Sequence, residues 1–346
     1  MKRRLLGVSL GTLGFGLFGL VIYLAGPVDV ALNIWALGWD GIVLVVLDVV
    51  AALLFWALSW KTLLSSLGIK VGCGRLLGSL ASGFAVSYLT PSAYLGGEPV
   101  RVMLVGGNGN AVTEITATVV VERILAAIST VLFAAMGGFF VVISPKISLF
   151  TKRVLLFSLG GLVLFSFFLL WAFVRNYRPL TRIFEGLAAL FPKTKFFARA
   201  ACKIREVEET THHVFSRRPI YALLAFIFQS LTVFCNYIRP QIFFGFGQGT
   251  WLSFPQLSLY FSLNVMISTF FWVTPAGLGI AEGGRMAILR IVGIPPHGAV
   301  AFALTFRFLE LIFVGVGVGY LIHRGVGFLG RKALKSGFRP PDARER

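Results

Sequence analysis

Long apolar runs alternate with short polar segments along the whole chain. Six of these runs are at least about 18 residues long and carry few charges, and a helix of that length crosses a hydrocarbon core of about 30 Å. The pattern therefore predicts an all-α, polytopic membrane protein with six transmembrane helices. Their predicted bounds are residues 5–26, 41–60, 112–144, 153–174, 219–243 and 297–323.

Two further apolar stretches are interrupted near their middle by a Thr-Pro pair followed by glycines. Proline removes a helical hydrogen bond and ends or kinks a helix. A piece such as 76–90 would extend only about 22 Å as a helix, which is too short to cross. We therefore expect two re-entrant helical hairpins, at residues 76–108 and 257–292, with breaks at Thr90, Pro91, Gly96, Gly97, Thr274, Pro275, Gly277 and Gly279.

The distribution of Lys and Arg predicts the topology, because cytoplasmic loops carry an excess of both. With two hairpins, the inner segments hold 23 Lys and Arg, and the outer segments hold three. If the first interrupted stretch, or both, crossed fully, the loop 175–218 with its ten Lys and Arg would lie outside. The count therefore favours two hairpins and places both termini in the cytoplasm.

Two of the inner segments are basic enough to attract anionic headgroups. The loop 175–218 combines basic with apolar residues, so we interpret it as an amphipathic insertion on the cytoplasmic leaflet, with an ordinary solvated linker as the alternative. Residues 324–346 form a basic cytoplasmic tail with seven Lys and Arg.

The two interrupted stretches align without gaps at an offset of 184 residues. Three charged identities fall in this single frame: Glu98 on Glu282, Arg101 on Arg285, and Arg123 on Arg307. The alignment predicts that the single transmembrane domain, 1–346, contains two repeats, 1–144 and 153–323. Because the predicted hairpins start from opposite sides of the membrane, the repeats are inverted, an arrangement typical of transporters.

Charged residues in apolar segments are the candidate site, because each costs about 2.5–3.5 kcal/mol at a helix centre unless it has a partner. Glu98 and Arg101 are three residues apart, which places them on one helix face. One interpretation is that Arg101 and Arg285 bind a phosphate through their forked donors; the other is that these are buried ion pairs that lock the hairpins. The candidate substrate-binding residues are Glu98, Arg101, Arg123, Glu282, Arg285 and Arg307, and Asp48, Glu122 and Glu310 are further cavity or proton-binding candidates.

Composition and motifs exclude several functional classes. The chain is 57% hydrophobic and 13% charged, and its net charge of +18 is spread between apolar runs, unlike the basic patch of a nucleic-acid-binding domain. The pair His212-His213 has no ligand partners at metal-binding spacing, and no Walker A, H-E-x-x-H or G-x-S-x-G motif is present. We therefore expect no metal, no cofactor and no nucleic-acid partner.

Both breaks carry recognisable motifs. Residues 90–101 read TPSAYLGGEPVR, residues 274–283 read TPAGLGIAEG, and Glu122-Arg123 follows the first hairpin. These segments resemble the TPG-x-x-GGEP-x-R, PGGLG-x-x-E and ERL patterns of the flippase-like family, also called the lysylphosphatidylglycerol synthetase transmembrane region. The resemblance covers nearly the whole chain, although Ser92-Ala93-Tyr94 replaces the expected glycines after Pro91.

The resemblance implies a lipid translocase of the cell (inner) membrane, without the soluble synthase domain of the best-known family member. We therefore expect a flippase or scramblase for an anionic, phosphate-bearing lipid, and no enzyme. Two alternatives stay open: a coupled transporter of small anions, and an integral membrane lipid transferase with Glu98 or Glu282 as its base. The sequence leaves the lipid, the transport direction and the oligomeric state open, with a homodimer among the options.

Overall fold

The computed structural model describes residues 27–90, 96–106, 112–143, 148–191, 195–270 and 280–335. These residues form helices joined by short connections, and no strand occurs among them. The helices are α1 (Pro27–Trp35), α2 (Gly38–Ser66), α3 (Cys73–Leu89), α4 (Glu98–Gly106), α5 (Val112–Ile143), α6 (Leu149–Val174), α7 (Pro179–Leu190), α8 (Lys195–Arg217), α9 (Pro219–Gln248), α10 (Phe254–Phe270), α11 (Ile280–Val292) and α12 (Pro296–Lys335).

Five helices in the described ranges are long and apolar enough to cross a membrane: α2, α5, α6, α9 and α12. Their mean hydropathy over 18 residues lies between 1.6 and 2.7. They correspond to five of the six predicted spans, and the sixth, 5–26, lies outside the described residues. The prediction of an all-helical, multi-pass membrane protein is therefore confirmed.

The interrupted stretches each form two shorter helices that pack against each other, α3 with α4 and α10 with α11. Helix α3 ends at Leu89, and the next residue, Thr90, has an extended backbone. At 17 residues α3 is about 25 Å long. Among the predicted break residues, Pro91, Thr274, Pro275, Gly277 and Gly279 lie outside the described residues, so the re-entrant path stays a prediction.

Helices from distant parts of the chain pack closely in this fold. The central pair is α2 with α9, while α3 packs along α12 and α10 packs along α5. A Cβ on Gly317 would lie 2.1 Å from the Ala81 carbonyl oxygen, and one on Gly137 would lie 2.0 Å from that of Ser258. Small residues let helix backbones approach where lipid supplies no hydrophobic drive for association.

The described residues of 175–218 contain the helical pair α7 and α8, which packs against the spans through α8. Glu208 on α8 caps the start of α7, since its carboxylate accepts hydrogen bonds from the backbone N–H groups of Leu180 (2.9 Å) and Thr181 (3.1 Å). Large apolar side chains stay exposed on this pair: Leu180, Ile183, Leu190, Phe191 and Phe196. That this face lies on the membrane surface stays a prediction.

Candidate functional site

A first charged cluster forms where α4 meets α5. The guanidinium of Arg101 donates from Nη1 to Glu98 Oε2 at 2.9 Å and from Nη2 to Glu122 Oε2. Arg123 donates from Nε to Glu98 Oε1 at 2.8 Å. The Arg101 side chain is 1% exposed and that of Glu122 is fully buried, so two carboxylates hold Arg101 away from lipid and water.

Aromatic side chains of α2 close the first cluster on its other side. The guanidinium carbon of Arg101 lies 4.3 Å from the ring centroid of Trp60 and 5.3 Å from that of Trp56, within cation–π range. The indole N–H of Trp56 donates to Glu122 Oε1 at 2.6 Å. Since α2, α4 and α5 all contribute, the cluster fastens the short helix α4 to two long spans.

Two glycines, Gly83 within α3 and Gly97 just before α4, explain how Arg101 reaches this position. A Cβ on Gly97 would lie 1.8 Å from the Gly83 carbonyl oxygen, and a Cβ on Gly83 would lie 2.4 Å from Arg101 Cγ. Gly97 also donates its backbone N–H to Ser87 Oγ at 2.9 Å. The predicted break residue Gly97 therefore lets α3 and α4 come into backbone contact.

A second charged cluster surrounds Glu310 on α12. Arg285 from α11 and Arg307 from α12 each lie 3.6 Å from a carboxylate oxygen of Glu310. Arg307 also donates a hydrogen bond to the hydroxyl of Tyr88 on α3, so the cluster joins both halves of the chain. The side chain of Glu282 lies outside the described residues, so its pairing with Arg285 stays a prediction.

The third charged group is an ion pair between the two central helices. Arg239 on α9 donates from Nε to Asp48 Oδ2 on α2 at 2.8 Å, and the Asp48 side chain is 2% exposed. The other oxygen, Asp48 Oδ1, is buried without a hydrogen-bond partner. Asp48 was a site candidate from the sequence. Arg239 is also a charged residue in an apolar span and needs a partner by the same rule, but it was not chosen as a site residue.

A cavity of about 250 Å³ lies between α2, α3, α9 and α12. Each charged group contributes to its wall: the first cluster through its aromatic neighbour Trp56, the second through Glu310, and the third through Arg239. The polar side chains Thr232 and Asn236 also line it. The rest of the wall is apolar or aromatic: Val49, Ala52, Leu53, Phe84, Phe306, Leu309 and Phe313. A few convergent polar groups in an apolar wall are typical of a ligand site.

The structure separates the sequence candidates into different environments. Glu98, Arg101, Glu122 and Arg123 come together in the first cluster, beside the cavity and not in its wall, whereas Glu310 lines the cavity directly. Sequence reasoning missed the aromatic and amide contributors, which carry no charge to single them out in an apolar chain. In the described part of the chain, no group of three or more His, Cys, Asp or Glu residues could hold a metal ion.

Comparisons with known proteins place the chain among membrane proteins. The family model described as lysylphosphatidylglycerol synthase TM region matches residues 5–317. A UPF0104 membrane protein of Pyrococcus horikoshii is 25% identical over 287 residues, which cover 78% of this chain and 82% of the relative. Another, from Methanothermobacter thermautotrophicus, is 26% identical over 275 residues, covering 77% and 79%. No solved structure matches the chain.

Proposed function

The chain belongs to the lysylphosphatidylglycerol synthase TM region family, and on that premise we propose that it moves an anionic, phosphate-bearing lipid across the cell membrane. The observation that carries this proposal is the cavity between α2, α3, α9 and α12. It combines Arg239 and Asn236 with the side chains of Phe84 and Phe313. A lipid needs both kinds of side chain, because its phosphate requires hydrogen-bond donors and its acyl chains require an apolar wall.

The proposed mechanism uses two inverted repeats. Helix packing supports the repeat, because the offset of 184 residues relates α3 to α10 and α12 to α5, and the inversion follows from the predicted topology. Under that exchange the contact of α3 with α12 becomes the contact of α10 with α5, and both contacts occur. Two equivalent halves that meet at a cavity are suited to alternating exposure of one site to two leaflets.

Orientation in the membrane follows the charge distribution. The proposal places both termini and the α7–α8 pair on the cytoplasmic side, because residues 175–218 carry ten Lys and Arg and residues 324–346 carry seven. Basic groups at that surface would attract anionic lipid toward the protein. The activity proposed is transport alone, with no bond made or broken in the lipid.

Reconstitution into unilamellar vesicles tests the function. The vesicles contain phosphatidylglycerol with a fluorophore on one acyl chain, and a membrane-impermeant reductant bleaches the fluorophore in the outer leaflet. Protein-containing vesicles should lose nearly all fluorescence, because inner-leaflet lipid becomes accessible, while empty vesicles should keep the inner-leaflet signal. Equal bleaching of both would refute lipid translocation, and uptake of inorganic phosphate in its place would favour the small-anion transporter.

Two adjacent leucines of α2 provide a matched pair of variants. Leu53 lines the cavity, whereas Leu54 is 46% exposed on the outer face of the same helix. Leu53→Trp places an indole in the cavity and should strongly slow lipid movement, whereas Leu54→Trp adds the same group to the outer face and should leave the rate near that of the wild type. Equal rates for the two variants would show that the cavity is not the transport path.

A further inference from the structure

Two arginines of this fold have the same chemistry but different surroundings. Arg101 is 1% exposed, and carboxylates accept from both of its η nitrogens. Arg239 is 21% exposed and belongs to the cavity wall. Within the residues described, its guanidinium makes one hydrogen bond, from Nε to Asp48, and lies 5.0 Å from the ring centroid of Phe306.

Arg101 demonstrates that a single guanidinium in this protein can hold two anions. Its Nη1 and Nη2 each reach a different carboxylate, Glu98 on one side and Glu122 on the other. Arg239 has only one such anion, Asp48, and it lines the cavity, while its Nη1 and Nη2 make no hydrogen bond within the described residues. A phosphate fits these two nitrogens, since two of its oxygens can accept from the fork of donors.

We infer that Arg239, oriented by Asp48, binds the phosphate of the transported amphiphile in the cavity, and that Arg101 is a structural residue that fastens α4 to α2 and α5. Asn236 lies three residues before Arg239 on the same face of α9 and also lines the cavity. Its amide donates one N–H to the Thr232 carbonyl oxygen at 3.0 Å, and the second N–H provides a further donor. This inference rests on the proposed function and deepens it by assigning the phosphate ligand.

The apolar side chains of the cavity wall indicate the kind of phosphate, and the carboxylate of Glu310 in the same wall is paired with Arg285 and Arg307. Phe84, Phe306 and Phe313 come from α3 and α12, and Leu53 faces them from α2. Free phosphate gains nothing from such a surface, whereas the glycerol backbone and upper acyl chain of a phospholipid would cover it and gain about 25 cal/mol for each Å² removed from water. The geometry therefore favours a lipid phosphate over inorganic phosphate.

A binding assay on the purified, full-length protein in detergent tests the inference separately from transport. The probe is dioctanoyl phosphatidylglycerol, and its dissociation constant is measured by native mass spectrometry. The Asp48→Asn/Arg239→Gln variant removes both members of the pair, so it leaves no uncompensated buried charge to unfold the protein. We expect its affinity to fall about tenfold or more, because a charge-assisted contact to phosphate is lost.

The chain offers a matched control for this variant. Arg205 and Glu185 form an exposed ion pair between α8 and α7, with side chains 49% and 45% exposed. Glu185→Gln/Arg205→Gln makes the same change in charge outside the cavity wall and leaves the net charge of the α7–α8 surface unchanged, so it should keep wild-type affinity. Arg239→Lys retains the charge but loses the planar fork, so its affinity should lie between the wild type and the double variant.

Several outcomes would overturn the assignment. Wild-type affinity in the Asp48→Asn/Arg239→Gln protein would show that Arg239 does not bind the phosphate. Competition by inorganic phosphate at the same concentration as the short-chain lipid would overturn the assignment to a lipid. A protein that binds the lipid through Arg239 and yet moves none in vesicles would refute the proposed function and leave the binding site standing.

Discussion

Replacing Arg101 by Met measures how much the first charged cluster contributes to the stability of the protein. The substitution removes the cation while keeping an unbranched side chain, so two carboxylates lose one partner. Their remaining partners differ. Glu98 keeps the ion pair with Arg123, whereas Glu122, fully buried, keeps one hydrogen bond, from the indole N–H of Trp56, and the electrostatic attraction of Arg123 without a direct contact. Glu122 is therefore the carboxylate that loses its direct ion-pair partner.

The expected cost follows from that burial. Breaking a buried ion pair by removing one partner costs about 3–5 kcal/mol, since an unpaired charge stays in a medium of low dielectric constant. In the Arg101→Met background, Glu122→Gln should recover most of this loss, because the amide oxygen still accepts from Trp56 and no charge remains buried. Glu98→Gln should recover little, because it neutralises a carboxylate that already has Arg123.

Equilibrium unfolding in mixed micelles, titrated with SDS and followed by tryptophan fluorescence, gives the free energies of the four proteins. The predicted order of stability is wild type, then Arg101→Met/Glu122→Gln, and then the other two variants at a similar lower value. Equal recovery by Glu98→Gln and Glu122→Gln would refute the inferred division between the two carboxylates. If the Arg101→Met protein were as stable as the wild type, the ion pairs of Arg101 would contribute nothing to the free energy of unfolding.

Two further predictions concern packing and topology. Gly97→Ala should destabilise the protein by about 1–3 kcal/mol in the same titration, because its Cβ would lie 1.8 Å from the Gly83 carbonyl oxygen. Gly186→Ala has open space and should stabilise it by up to about 1 kcal/mol through helix propensity. Lys195→Cys in a cysteine-free background should resist an impermeant thiol reagent added to intact cells, and rapid labelling there would contradict a cytoplasmic α7–α8 pair.

The helices themselves were largely predictable from the sequence. The span predicted at 112–144 is observed as Val112–Ile143, and that at 297–323 lies within Pro296–Lys335. Differences arise at helix ends: the span predicted at 41–60 is observed as Gly38–Ser66, because a helix can continue past its apolar core into polar residues. Residues 27–40, between the first two predicted spans, also contain α1 (Pro27–Trp35), a short helix that the prediction of spans did not include.

The candidate site was predictable only in part. The rule that charges in apolar segments need partners selected Asp48, Glu122 and Glu310, and each has an arginine within 4 Å in the structure. It could not choose the partner. Spacing along α4 pairs Arg101 with Glu98, but the fully buried partner Glu122 lies 21 residues away on another helix.

The sequence by itself determined the membrane location, the helices and the two interrupted stretches, because the free energy of placing a residue in lipid depends on that residue and its near neighbours. Tertiary structure alone decided which helices meet. Asp48 and Arg239 are 191 residues apart, and Tyr88 and Arg307 are 219 apart. Equivalent positions in the repeat, such as Arg101 and Arg285, look alike in sequence yet differ in exposure, 1% against 21%. That difference comes from side chains brought in by other helices, and local sequence does not encode which neighbours those will be.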